Sequence, residues 1–167
     1  MQRWPFPNPV NTVAARLVAA GVCLQLLGVF LGWHWLLLPL AYGFLARVTT
    51  GPAFSPLGKL ASGAGTRYFP DAERVPGPPK RFAQAVGLTL SSIALVGWLF
   101  GSTPLWVGAC AFLAVGASLE AGLGICMGCI IFQGLMRLGI IPERICFECA
   151  NFGSTVALPE TAVVGSN

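Results

Sequence analysis

Four of the six cysteines stand in two Cys-x-x-Cys pairs, Cys126-Met-Gly-Cys129 and Cys146-Phe-Glu-Cys149. Two residues between thiols allow the sulfurs to reach bonding distance, and the thiolate is the form that attacks. Together the pairs read C-x2-C-x16-C-x2-C, a spacing that zinc sites also use. The residues between them are apolar and helix-like as far as Pro142, unlike the polar hairpin of a zinc ribbon. The pairs therefore point to dithiol exchange or sulfur transfer, with a tetrathiolate site for zinc or iron as the alternative. Under exchange no resident cofactor is needed. Cys126 attacks, Cys129 resolves, and Cys146 with Cys149 acts as a relay on the tail. Glu148, inside the second pair, raises the thiol pKa there rather than lowering it.

Other residues narrow the chemistry. His34 is the single histidine, lies between Trp33 and Trp35, and is expected at the outer face, across the membrane from the Cys pairs. A Cys–His nucleophile at Cys126 is thereby excluded. Cys23 and Cys110 lie within apolar runs and read as packing residues. Glu120 falls just inside the end of an apolar run, where an unpaired carboxylate is costly. Arg16 is its expected counter-ion, with Arg81 second, and in a functional role Glu120 accepts a proton near Cys126. Gly108, Phe112, Gly116, Glu120 and Gly124 recur every fourth residue, a pattern suited to close helix contact.

The elements that carry these residues are membrane helices. Hydrophobic residues make up 55% of the 167 residues and charged ones 10%, against about 25% charged in soluble domains. No Lys, Arg, Asp or Glu occurs from Leu17 to Ala46 or from Phe82 to Leu119. Each gap overshoots the roughly 20 residues that cross a bilayer and divides at a glycine-containing tip. The expected fold is an all-α membrane protein of four transmembrane helices in two hairpins, with spans at about 12–31, 35–48, 82–100 and 105–125. A parallel tandem repeat of the two halves fits that layout. Residues 1–149 form one integral-membrane domain, with a loop over 49–81 and a short helix near 130–139; residues 150–167 form a poorly ordered tail. The segment Ser55 to Tyr68 lies on the membrane surface, its glycines arguing against a long helix, and Val75-Pro-Gly-Pro-Pro79 reads as a flexible connector. Gly122 and Gly124 leave two routes into Cys126. Either they break the fourth helix, which sets Cys126 at a helix N-terminus and lowers its pKa, or the helix runs on and that activation is lost.

Charge fixes the orientation. With four spans all ten Lys and Arg fall on one side, which the positive-inside bias makes cytoplasmic. Both termini and both Cys pairs then face the cytoplasm, where structural disulfides rarely persist. The segment before the first span lacks the layout of a cleaved signal peptide, so that span is expected to stay as an anchor. The basic residues are scattered rather than arranged as a groove, so a nucleic-acid partner is not expected. Glu120 and Arg16 are too few charges for a transporter's polar pathway.

Arg81-Phe-Ala-Gln84, the four-span layout and Gly124-Ile-Cys-Met-Gly-Cys129 together resemble a bacterial membrane family known only as domain of unknown function 4395, over roughly Pro7 to Leu138. The resemblance implies a multi-pass inner-membrane protein whose relatives occur beside, or fused to, thioredoxin-like or sulfurtransferase proteins. The expected function is a cytoplasm-facing dithiol that exchanges electrons or sulfur with a thioredoxin-like or rhodanese-like partner. The alternative is a non-catalytic membrane subunit or scaffold whose cysteines hold a metal or pack. The substrate, the oligomeric state and whether the protein is an enzyme are not legible in the residues.

Overall fold

In the computed structural model the described residues are 10–51, 54–69, 72, 74–75 and 77–140. Cys146, Cys149 and the 150–167 tail lie outside them. Among the described residues the chain is all-helical apart from one antiparallel pairing of Val10–Asn11 (β1) with Arg74–Val75 (β2). Asn11 also starts the first helix, α1 (Thr12–Phe30): its side-chain oxygen accepts from the N–H groups of Val13 and Ala14 at 2.9 and 3.1 Å. Such a cap satisfies donors that the first helical turn leaves orphaned. A turn through Gly32 and a short 3-10 segment, His34–Leu36, lead into α2 (Leu37–Thr50). Then follow α3 (Pro56–Tyr68), α4 (Gly77–Leu99), α5 (Thr103–Leu123) and α6 (Met127–Arg137).

Three of these helices, α1, α4 and α5, are long and apolar enough to cross a membrane. Their packing explains where the core sits. α4 and α5 form a packed antiparallel hairpin, α1 lies against α5, and α2 lies against α4. α1 and α2, although joined by a tight turn, touch each other little, so the first half is not a hairpin in the packing sense. Val22, Leu26, Val29, Leu37, Leu40, Phe44, Leu113 and Cys110 fill the centre. Large apolar side chains also point outward from the long helices, among them Leu24, Leu27, Leu31 and Phe112. Such a surface suits hydrocarbon rather than water.

Several boundaries differ from expectation, each for a local reason. α3 forms in spite of its glycines. Ser55 caps it by accepting from the Gly58 N–H at 3.2 Å, Pro56 sits in the first turn, and Gly65 lets α3 come close to Ala14 of α1. Gly77, Pro78 and Pro79 are not a connector but the first turn of α4, where a missing N–H loses no helical bond. On α5 the buried stripe is Ala109, Leu113 and Ala117. The neighbouring face with Gly108, Gly116 and Gly124 meets nothing within 4 Å of where a Cβ would stand. At its glycines the small-residue face expected to make a helix contact therefore borders open space, while Glu120 on it meets α4.

Candidate thiol site

The site begins where α5 stops. Gly124 adopts φ 73°, a left-handed conformation that favours glycine. The Gly124 N–H bonds to the Glu120 carbonyl at 3.1 Å, the bond of a left-handed helix ending, and the Ile125 N–H bonds to the Leu119 carbonyl at 3.2 Å. Of the two routes left open by the sequence, the helix breaks. The break frees Cys126 to cap α6: its Sγ accepts from the Cys129 N–H at 3.3 Å. α6 thus begins at Met127, three residues before the expected start, because the cysteine itself supplies the cap. Gly128 then holds α6 tightly on α4, since a Cβ there would lie 2.5 Å from the Ala83 Cβ. Phe132 stacks at a tilt on Phe82 with ring centres 5.6 Å apart, which fixes the far end of the same contact.

The charges at this end of the bundle are arranged differently from the sequence expectation. Glu120 pairs with Lys80 of α4, not with Arg16 or Arg81. Both side chains are largely buried, at 10% and 15% exposure. Arg16 instead donates to the carbonyls of Ala121 and Gly122 at 3.2 and 2.7 Å. The physical reason is the helix break: the last turn of α5 leaves carbonyls without partners, and a guanidinium from α1 satisfies two of them. Arg81 likewise donates to the Val48 carbonyl of α2, at 3.0 Å. Lys80, on the helix packed directly against α5, remains for the carboxylate. Among the described residues no hydrogen bond joins Glu120 to Cys126.

Cys126 and Cys129 carry free thiols, and Cys126 is the more buried of the two. Their protonation is divided unequally. The Cys129 thiol hydrogen-bonds to the Cys126 sulfur, which holds Cys126 below the ordinary thiol range; the Lys80 charge and the Cys129 N–H act in the same direction, against burial and the Glu120 charge. The same bond and burial push Cys129 upward. Within the pair the proton is therefore held more tightly at Cys129 than at Cys126.

Two cavities meet at Cys126. A cleft of about 250 Å³ is lined by both cysteines with Thr12, Arg16, Lys80 and Gln133. A second cavity, of about 330 Å³, runs between α1, α4, α5 and α6 and is almost wholly apolar, with Gln84, Glu120 and Cys126 among its polar residues.

Arg47 went unnoticed in the sequence. It is only 5% exposed, and it donates to the Gln84 amide oxygen at 2.7 Å and to the Ser55 hydroxyl at 3.1 Å while its guanidinium lies 4.5 Å from the centre of the Phe44 ring. Its position at the end of a charge-free run was the available signal. His34 packs between Trp98 and Trp106 with ring centres 5.9 and 5.1 Å away. It follows the far end of α1, about 28 Å along that helix from Thr12 at 1.5 Å per residue. Cys23 faces the Ser118 hydroxyl at 3.7 Å and Cys110 is fully buried, in keeping with packing. Among the described residues no group of three or more His, Cys, Asp or Glu could hold a metal ion. A four-cysteine site would need Cys146 and Cys149, which lie outside them.

Residues 10–137 match the family described as Domain of unknown function (DUF4395), and the chain belongs to that family. No curated protein and no solved structure matches the chain.

Proposed function

We propose that this DUF4395 protein is a thiol–disulfide exchange component of the bacterial inner membrane, working on a soluble thioredoxin-like partner from the cytoplasmic side. The observation that carries the reading is the division of labour within one helical turn: Cys126 caps α6 with its sulfur, and Cys129 donates to that sulfur. In the exchange the Cys126 thiolate attacks one sulfur of a partner disulfide, forming a mixed disulfide and releasing the partner's second sulfur as a thiolate. Cys129 then loses its proton and attacks the Cys126 sulfur. The intramolecular disulfide forms, the mixed disulfide breaks, and the partner leaves as a dithiol. Run in reverse, the same steps oxidise the partner. Glu120 serves by holding Lys80 beside the pair, and Cys146 with Cys149 would relay from the tail.

The membrane setting rests on α1, α4 and α5, and contacts favour α2 as a fourth crossing. His34 stacks on Trp98 at one end of α4, whereas Arg47 reaches Gln84 near the other end. Between these two points α4 rises about 21 Å at 1.5 Å per residue, and the chain covers that distance through α2. Arg16, Arg47, Lys80 and Arg81 then gather at the Cys126 end, which favours a cytoplasmic site.

A Cys129→Ser variant tests the exchange. It should accumulate a mixed disulfide with thioredoxin through Cys126, visible on non-reducing gels and absent from Cys126→Ser. If Cys126 forms no mixed disulfide and the wild-type pair is inert to oxidised and reduced thioredoxin alike, the reading fails.

A further inference from the structure

A dithiol that exchanges with a soluble protein still needs a second electron partner, and the apolar cavity supplies a place for one. Resting on the exchange reading above, we propose that this cavity binds a membrane-soluble quinone, the oxidant of the Cys126–Cys129 pair. Three observations select that class. At about 330 Å³ the cavity falls within the range of small-molecule sites, about 300–1,000 Å³. It reaches the lipid-facing flank of α5 through Phe112 and Val115, exposed at 77% and 61%, and Cys126 lines it as well. A ligand dissolved in the bilayer can thus reach the sulfur without crossing water.

Gln84 adds the polar contact a quinone needs. Arg47 has only donors, so the Gln84 amide oxygen must be the group that faces it. The amide N–H groups of Gln84 are then left over, with no partner among the described residues, in a side chain that lines the cavity. An acceptor-rich ring with carbonyl oxygens matches them; a saturated acyl chain offers nothing. The open face of α5 supplies room, because a Cβ at Gly116 would meet no atom within 4 Å.

The reaction balances within the two partners. Two thiols lose their protons and two electrons, and the Cys126–Cys129 bond forms. The quinone takes the two electrons and two protons, both ring carbonyls become hydroxyls, and the quinol leaves through the lipid side.

The test uses the full chain in lipid nanodiscs, reduced, freed of reductant and kept anaerobic, with decylubiquinone as the probe. Quinone loss is followed by ultraviolet absorbance and disulfide formation by maleimide mass-labelling. We expect one quinol per Cys126–Cys129 pair. Gly116→Leu and Gly116→Trp, which fill the cavity from α5, should slow quinone reduction by tenfold or more while exchange with thioredoxin stays within twofold. Equal quinone rates in wild type and Gly116→Trp would overturn the site. So would equal protection of the cavity by decanol, which marks a lipid-tail pocket. A wild-type pair that exchanges with thioredoxin but never reduces the quinone overturns this inference alone; one inert to both takes the exchange reading down with it.

Discussion

Exchanging Glu120 for glutamine should make Cys126 more reactive while making the protein less stable, and the combination separates an electrostatic role from a structural one. Lys80 and Glu120 are 10% and 15% exposed, so either one left alone is a poorly solvated charge. Breaking a buried pair from one side costs about 3–5 kcal/mol, whereas replacing both members is often neutral. Thermal unfolding should therefore show losses in Glu120→Gln and in Lys80→Met, and recovery in the double variant. The thiol behaves differently. The Glu120 charge opposes the Cys126 thiolate and the Lys80 charge favours it. In Glu120→Gln the Cys126 pKa falls, and in Lys80→Met it rises. A neighbouring charge moves a pKa by roughly one unit or more, and one unit is about tenfold in thiolate fraction at pH values below the pKa. Iodoacetamide alkylation of Cys126, followed by mass spectrometry across pH 5–9, should thus accelerate about tenfold on the acid side in Glu120→Gln. In Lys80→Met it should slow by a similar factor, and the double variant should return near wild type. If the pair only clamps α4 to α5, both single variants loosen the site and expose the thiol. Rates that move the same way in both would refute the electrostatic reasoning.

Two further outcomes follow from the helix break and from the seat of α6. Gly124→Ala places a Cβ at φ 73°; a left-handed residue of this kind costs roughly 1–2 kcal/mol, so the thermal midpoint should drop by a few degrees, while Gly116→Ala, inside α5 with room for its Cβ, should hold or raise it. Gly128→Val drives a branched side chain into Ala83, whose Cβ would lie 2.5 Å away. α6 must lift from α4, and native-state labelling of Cys126 should speed up at every pH, without the shift in profile expected of Glu120→Gln.

How much of this was legible in the sequence depends on whether a signal was local. The long helices followed from charge-free runs, and the break before Cys126 followed, as one of two routes, from Gly122 and Gly124. The Cys pair marked the site on spacing alone. What failed was pairing across helices. Depth in its helix makes Arg16 a candidate partner of Glu120, but depth carries no information on which helices touch, and the unpaired carbonyls of α5 are a stronger claim on it. The Gly108–Gly124 stripe failed for a related reason. Every fourth residue defines a face, yet a face of small residues is equally suited to a close neighbour and to a void. Local chemistry was misweighed at two other places. Propensity counted the glycines of α3 but not its Ser55 cap, and turn statistics claimed Gly77-Pro78-Pro79 for a loop although prolines suit a first helical turn.

The choice of Lys80 over Arg16 also gives Glu120 a reason to be where it is. A thiolate at Cys126 benefits from one nearby cation, and a lone lysine would supply it more strongly than a lysine already paired with a carboxylate. Once Cys126 enters a disulfide, however, that lone lysine would be a buried charge with no counter-charge, at the several kcal/mol that such a group costs. With Glu120 present, Lys80 keeps a partner in both redox states. The carboxylate weakens the activation of Cys126, and in exchange the disulfide form carries no stranded cation. The reduced and oxidised forms are thereby brought closer in free energy, which is what a carrier that must both take and give electrons requires. On this account Glu120→Gln shifts the redox balance toward the dithiol, since the freed Lys80 then stabilises the thiolate alone. The redox midpoint against a glutathione buffer should rise in that variant, by about 30 mV for each tenfold in the exchange constant. An unchanged midpoint would mean that Lys80 finds another partner when the disulfide forms.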